Sequence, residues 1–65
     1  MNSYEEIYYT EISFNKFKCI IINVKEKTFK EVIIEENQLD DDAIIMSPSV
    51  LDALIIGLSK EFKKQ

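Results

Sequence analysis

Apolar positions recur along this chain with two different periods, and the change of period divides it in two. From Tyr4 to Glu36, β-branched and aromatic residues dominate, without a helical stripe and with polar breaks near Asn15 and Lys25. From Ser47 to Phe62, apolar residues return every three or four positions, the period of a helix lying on a core. The expected fold is therefore α+β: an antiparallel meander of three or four strands, followed by one carboxyl-terminal amphipathic helix packed on one sheet face.

The helix is the best-marked element. Ser47 is a good N-cap, because its hydroxyl can accept from a free amide of the first turn. Pro48 then falls at the first helical position, where its missing N–H costs nothing. Val50, Leu51, Leu54, Ile55, Leu58 and Phe62 form the expected buried stripe, with Gly57 and Glu61 at its margin. Asp52 near the start and Lys60, Lys63 and Lys64 near the end suit the helix dipole. On the other side, Ala53, Ile56, Gly57 and Lys60 make a strip in which small residues would let another backbone approach. That strip is the expected oligomer interface.

The strands are read in order. Tyr4 to Phe14 is the first, with Tyr4, Tyr8, Ile12 and Phe14 expected to face the core and Ile7 and Tyr9 the other side. Asn15 and Lys16 supply a two-residue turn, since Asn tolerates positive φ. Phe17 to Val24 is the most apolar strand, with Phe17, Cys19 and Ile21 on one face and Ile20, Ile22 and Val24 on the other. Lys25 to Thr28 turns the chain, and Phe29 to Glu36 returns as a third strand. Val32 and Ile34 share one side of it, Phe29 and Ile33 the other. Asn37 to Asp42 is an acidic loop, and Ala43 to Met46 can add a short fourth strand.

A strand that is apolar on both faces needs cover on both, yet one helix covers only one. Either the sheet curls on itself or its second face meets another molecule. Length sharpens this point. With 65 residues the chain is read as a single domain (residues 1–65), and a chain of this size buries only about 60% of the surface its unfolded state exposes. Cys19 is the sole cysteine, so no disulfide framework compensates for the thin core, and self-association is the expected way to gain buried area.

Composition narrows the chemistry. The net charge is −4, which argues against general nucleic-acid binding, since that needs a clustered basic surface. Met1 to Glu6 carries acids rather than a signal peptide's basic run, and no apolar stretch reaches membrane-spanning length, so a cytoplasmic location is expected. There are eleven Ile and eight Lys but no Arg, His or Trp. This bias toward residues with A/T-rich codons suggests a low-G+C genome, bacterial or viral, and suits a short reading frame on a phage or other mobile element.

Without histidine there is no Ser-His or Cys-His dyad and no imidazole metal ligand. Without arginine there is no bidentate phosphate clamp, and the single Gly excludes a glycine-rich phosphate loop. No catalytic residue, cofactor or metal is assigned. Cys19 reads as a small buried hydrophobe. Asp40, Asp41 and Asp42 do not begin a calcium loop, because Ile45 and Leu51 stand where that loop needs Gly and Glu. From Glu31 through Ser59 there are seven acids and no Lys, a negative field able to steer a basic partner.

These observations point to a small acidic, non-catalytic binding protein, a homo-oligomer and most simply a dimer, that inhibits or regulates a larger protein. A phage or mobile-element inhibitor of a bacterial host or defence factor is the most concrete form. The expected partner-binding residues are Glu35, Glu36, Asp40, Asp41, Asp42, Tyr8 and Tyr9. One alternative is an oligomer that sequesters a small molecule or nucleotide, using Lys16, Lys18 or Lys30 with Tyr8 or Tyr9. Another is a structural accessory subunit completed by its partner.

Overall fold

The structure, a computed structural model, describes residues 4–65. Three strands form the body of one sheet: β1 (Glu5–Ser13), β2 (Lys16–Asn23) and β3 (Thr28–Ile34), each antiparallel to the next. The β1–β2 turn is Phe14 and Asn15 rather than Asn15 and Lys16, and Asn15 takes the positive φ of 57°. A register shift between Glu11 and Ser13 moves the turn back by one residue. Between β2 and β3, the Asn23 Oδ1 accepts from the Glu26 amide at 2.9 Å, and Lys27 closes the turn at φ 57°.

β3 stops at Ile34, short of the expected Glu36, and a 3-10 turn, η1 (Glu36–Gln38), follows. Here Gln38 turns back on Glu35, its side-chain oxygen accepting from the Glu35 amide at 3.0 Å. The Glu36 amide donates to Asn15 Oδ1 at 3.1 Å, which seats this segment on the β1–β2 turn. The chain then passes to the opposite edge of the sheet, where β4 (Ile44–Ile45) pairs with Tyr8 and Tyr9 of β1 in parallel.

Helix α1 (Pro48–Glu61) carries the chain back across one sheet face. Its start is the expected one: Ser47 Oγ accepts from the Val50 amide at 3.4 Å and Pro48 is at the first position. Its end is not. Phe62 leaves helical geometry at φ −116° and ψ 153°, and Lys63–Lys64 become β5, parallel to Thr28 and Phe29 of β3. The sheet order is β4-β1-β2-β3-β5, so the expected purely antiparallel meander is corrected to a mixed sheet. The helix is a crossover between its two edges, which is why the short edge strands run parallel to their neighbours.

Ile20 and Ile22 of β2, Phe29 of β3, and Leu51 and Leu58 of α1 form the core, flanked by Tyr8, Met46, Leu54, Ile55 and Phe62. Burying each such side chain stabilises the fold by about 1.5–3 kcal/mol. The helix therefore covers the Ile20 and Ile22 face of the sheet. Three expected core residues of β1 and its turn lie outside: Tyr4, Ile12 and Phe14 are 50%, 49% and 95% exposed, and Thr10 is buried instead. Val50, placed in the stripe by period alone, is 51% exposed. Asp52 lies beyond the first helical turn, and Lys60 is the basic residue of the last one.

Candidate functional site

The strand registers settle what lies on each face of the sheet. Tyr8, Ile20 and Glu31 are cross-strand partners, as are Glu6, Ile22 and Phe29, and these belong to the helix side. The alternate positions make the other face. Its central row is Ile45, Tyr9, Cys19 and Val32, one residue from each of β4, β1, β2 and β3. Below it lie Ile7 and Ile21 beside Lys30, and above it Phe17 and Ile34 beside Glu11. Helix α1 packs on the opposite face, and η1 is seated at the β1–β2 turn. The molecule is only 17 Å through its thinnest axis, which accommodates one sheet and one helix layer.

These residues shelter one another. Tyr9 and Phe17 meet edge to face with centroids 5.6 Å apart, a favourable aromatic geometry. Cys19 is 1% exposed beneath its neighbours, and burial pushes its thiol pKa up, away from thiolate chemistry. Ile45, at the margin, is 67% exposed. Charges stand only at the border: Glu5 and Glu11 on β1, Lys30 on β3, and Lys63 beside Thr28 on β5.

The helix side has its own polar features. Glu31 pairs with Lys64 at 3.1 Å and with Lys18 at 3.5 Å. The hydrogen bond from Lys64 holds its carboxyl below the ordinary glutamate value, aided by both lysine charges and opposed by burial. Tyr8 donates to Glu6 Oε1 at 2.9 Å, and this bond, with burial and the Glu6 charge, raises the phenol pKa.

The expected partner-binding residues do not form one cluster. Glu35 and Glu36 sit at the β1–β2 turn with Asn15. Asp40, Asp41 and Asp42 occupy the exposed turn before β4, where Asp40 Oδ1 accepts from the Asp42 amide at 2.8 Å. Tyr8 and Tyr9 point to opposite faces, so they do not combine into a base-stacking site. Lys16 and Lys18 lie on the helix side and Lys30 on the open side, so they do not converge on one anion either.

No family model, curated protein or solved structure matches the chain. Function must therefore be argued from its own surfaces. Among the described residues, no group of His, Cys, Asp and Glu is placed to hold a metal, and no helix is long and apolar enough to cross a membrane. The strip expected as an oligomer interface is solvent-facing: Ala53, Ile56, Gly57 and Lys60 are all exposed, Ile56 at 62%. A Cβ built on Gly57 would meet nothing within 4 Å, so packing within the chain does not require glycine there.

The open face was legible in part. Alternation placed Phe17, Cys19 and Ile21 together, and Val32 with Ile34. Ile45 was missed as a member of that face because only the crossing of the chain to the β1 edge brings it there.

Proposed function

We propose that this chain is a non-catalytic binding protein that works as a homo-oligomer and docks on a larger protein whose activity it blocks or regulates. The observation that carries the reading is the apolar sheet face opposite the helix, where Ile7, Tyr9, Phe17, Ile21, Val32 and Ile34 are half-buried and Ile45 is exposed. Contiguous apolar surface left accessible on a small protein ordinarily marks an interaction site. Val50 and Ile56 of the helix are exposed as well, at separate places on its surface, and offer a further contact apart from the sheet face. The exposed acids Glu35, Glu36 and Asp40 to Asp42 then favour a basic target and speed its encounter. Small size, acidity and the A/T-rich codon bias fit an inhibitor from a phage or mobile element, acting in the cytoplasm on a bacterial host or defence factor.

The open face also fits an accessory subunit whose partner completes its core. That reading requires aggregation or a molten state when the chain is made alone, cured by the partner. The regulator reading is tested by capture from a low-G+C bacterial lysate with three baits: wild type, Ile56→Glu, and a variant with Glu35, Glu36 and Asp40 to Asp42 reversed to Lys. The expected result is one protein held in stoichiometric amount by wild type, lost from one or both variants, and losing activity when the wild-type chain is added. Identical capture by all three baits would remove both the helix surface and the acids from the proposal.

A further inference from the structure

We infer that the open sheet face takes a second copy of this chain, packed face to face about a two-fold axis parallel to β2, with β1 of one copy over β3 of the other. This rests on the homo-oligomer reading above and gives it a geometry, on the sheet rather than on the helix strip.

Area comes first. Three full strands at about 4.8 Å spacing and four residue rows at about 6.8 Å give a face of roughly 14 by 20 Å, to which β4 and β5, two residues each, add one position apiece. That is roughly 350 Å² per copy in projection and more as corrugated accessible surface, so closing two faces buries an area approaching about 1,000 Å², the lower end for specific association. Sheets packed face to face lie about 10 Å apart, close enough for the apolar side chains of both faces to interdigitate, and an axis along β2 keeps the two central strands parallel.

Charge then selects the arrangement. The face carries acids at its β1 side, Glu5 and Glu11, and bases at its β3 and β5 side, Lys30 and Lys63. Glu5 is cross-strand from Asn23 and thence Thr28, and Thr28 is flanked by Lys63 and, two residues on, Lys30. A two-fold axis along β2 carries Glu5 of one copy onto this basic corner of the other, twice per dimer. An axis across the strands sets Glu5 over Glu11 of the second copy. The two diagonal axes set either Glu5 on Glu5 or Lys30 on Lys30. Only the axis along β2 joins opposite charges without also setting like charges together, and like charges juxtaposed in an interface cost several kcal/mol.

The sheet also has the right symmetry for it. β2 is its centre, β1 and β3 run in the same direction, and β4 and β5 flank them. The rotation therefore lays β1 over β3, while the short β4, level with Val32, and the short β5, level with Thr28, fall at different heights along the two margins. Cys19 and Ile21, on the central strand, meet their own copies across the axis. None of the border charges that the arrangement uses is already engaged: among the described residues the ion pairs are those of Glu31 with Lys18 and Lys64.

The test is sedimentation equilibrium and light scattering on the full chain, with far-UV circular dichroism to check each variant's fold. Wild type should be a dimer, twice the 7.6 kDa chain mass. Ile21→Lys, at a half-buried position of the open face, should give a folded monomer. Lys30→Glu should weaken the dimer at least tenfold, the scale of one interfacial charge pair. Adding Glu5→Lys to Lys30→Glu should restore most of the loss. If Ile21→Lys fails to fold, the charge swap alone decides, because both of its positions are exposed. A dimer unaffected by these changes but dissolved by Ile56→Glu overturns this geometry and returns the interface to the helix. A wild-type monomer at high micromolar concentration overturns the homo-oligomer itself, while capture of a target by that monomer would leave the regulator reading standing.

Discussion

Glu31 shows how a single side chain ties strand, edge and carboxyl terminus together. It lies on the helix side of β3 and receives Lys18 from β2 and Lys64 from β5. Its pKa is lowered chiefly by the Lys64 hydrogen bond, so the folded chain binds fewer protons there than the unfolded chain. The resulting stability is fully present above the ordinary glutamate range and is lost as pH falls through the lowered value. Glu31→Gln should therefore flatten the acid limb of the urea midpoint against pH, below about pH 4.3. Near neutrality the loss should stay under about 1 kcal/mol, because Lys64 is largely solvated. An unchanged acid limb would show that the pairs are not formed in solution. Of the residues in special backbone geometry, Asn15 was legible, since its side chain suits positive φ. Lys27 was not, because Lys has no such local bond to signal it.

At the scale of the element, α1 is the clearest case of a start written locally and an end decided elsewhere. Ser47 and Pro48 fix the first turn with groups adjacent in sequence. The end depends on β3, whose exposed edge offers hydrogen bonds that Lys63 and Gln65 take up from Lys27 and Phe29 carbonyls at 2.9 and 2.8 Å. Lysines after an apolar helix read equally well as its last turn, so the sequence carried no sign of β5. Inside the helix, Gly57→Ala should raise stability by about 0.5–1 kcal/mol, because Gly is the costlier residue in a helix interior and the new methyl meets nothing. The urea midpoint of the purified variant checks this. A fall in stability would mean that glycine is needed for a close approach on that side of the helix.

For the whole molecule, the few fully buried side chains carry most of the stability. Leu51→Ala should cost about 2–5 kcal/mol, while a core of this size supplies only about 3–5 kcal/mol, so the variant should be largely unfolded at 25 °C by circular dichroism. Val50→Ala, next in sequence but half exposed, should shift the midpoint by no more than about 0.5 kcal/mol. Comparable losses for both would mean that the Val50 side of the helix is covered in solution.

The sequence by itself determined the two periods, the helix start, the assignment of alternate residues in β2 and β3 to opposite faces, and the fact that one helix cannot cover both. Those follow from local geometry, since side-chain direction repeats every two residues in a strand and every 3.6 in a helix. Only the tertiary structure decided which face the helix takes, that β4 lies beside β1, and that β5 closes the far edge. These are non-local pairings, made by a loop that crosses the sheet end and a helix that returns, and no local preference encodes them. The same pairings set Glu5 and Glu11 at one border of the open face and Lys30 and Lys63 at the other, a polarity that exists only once the strands stand side by side.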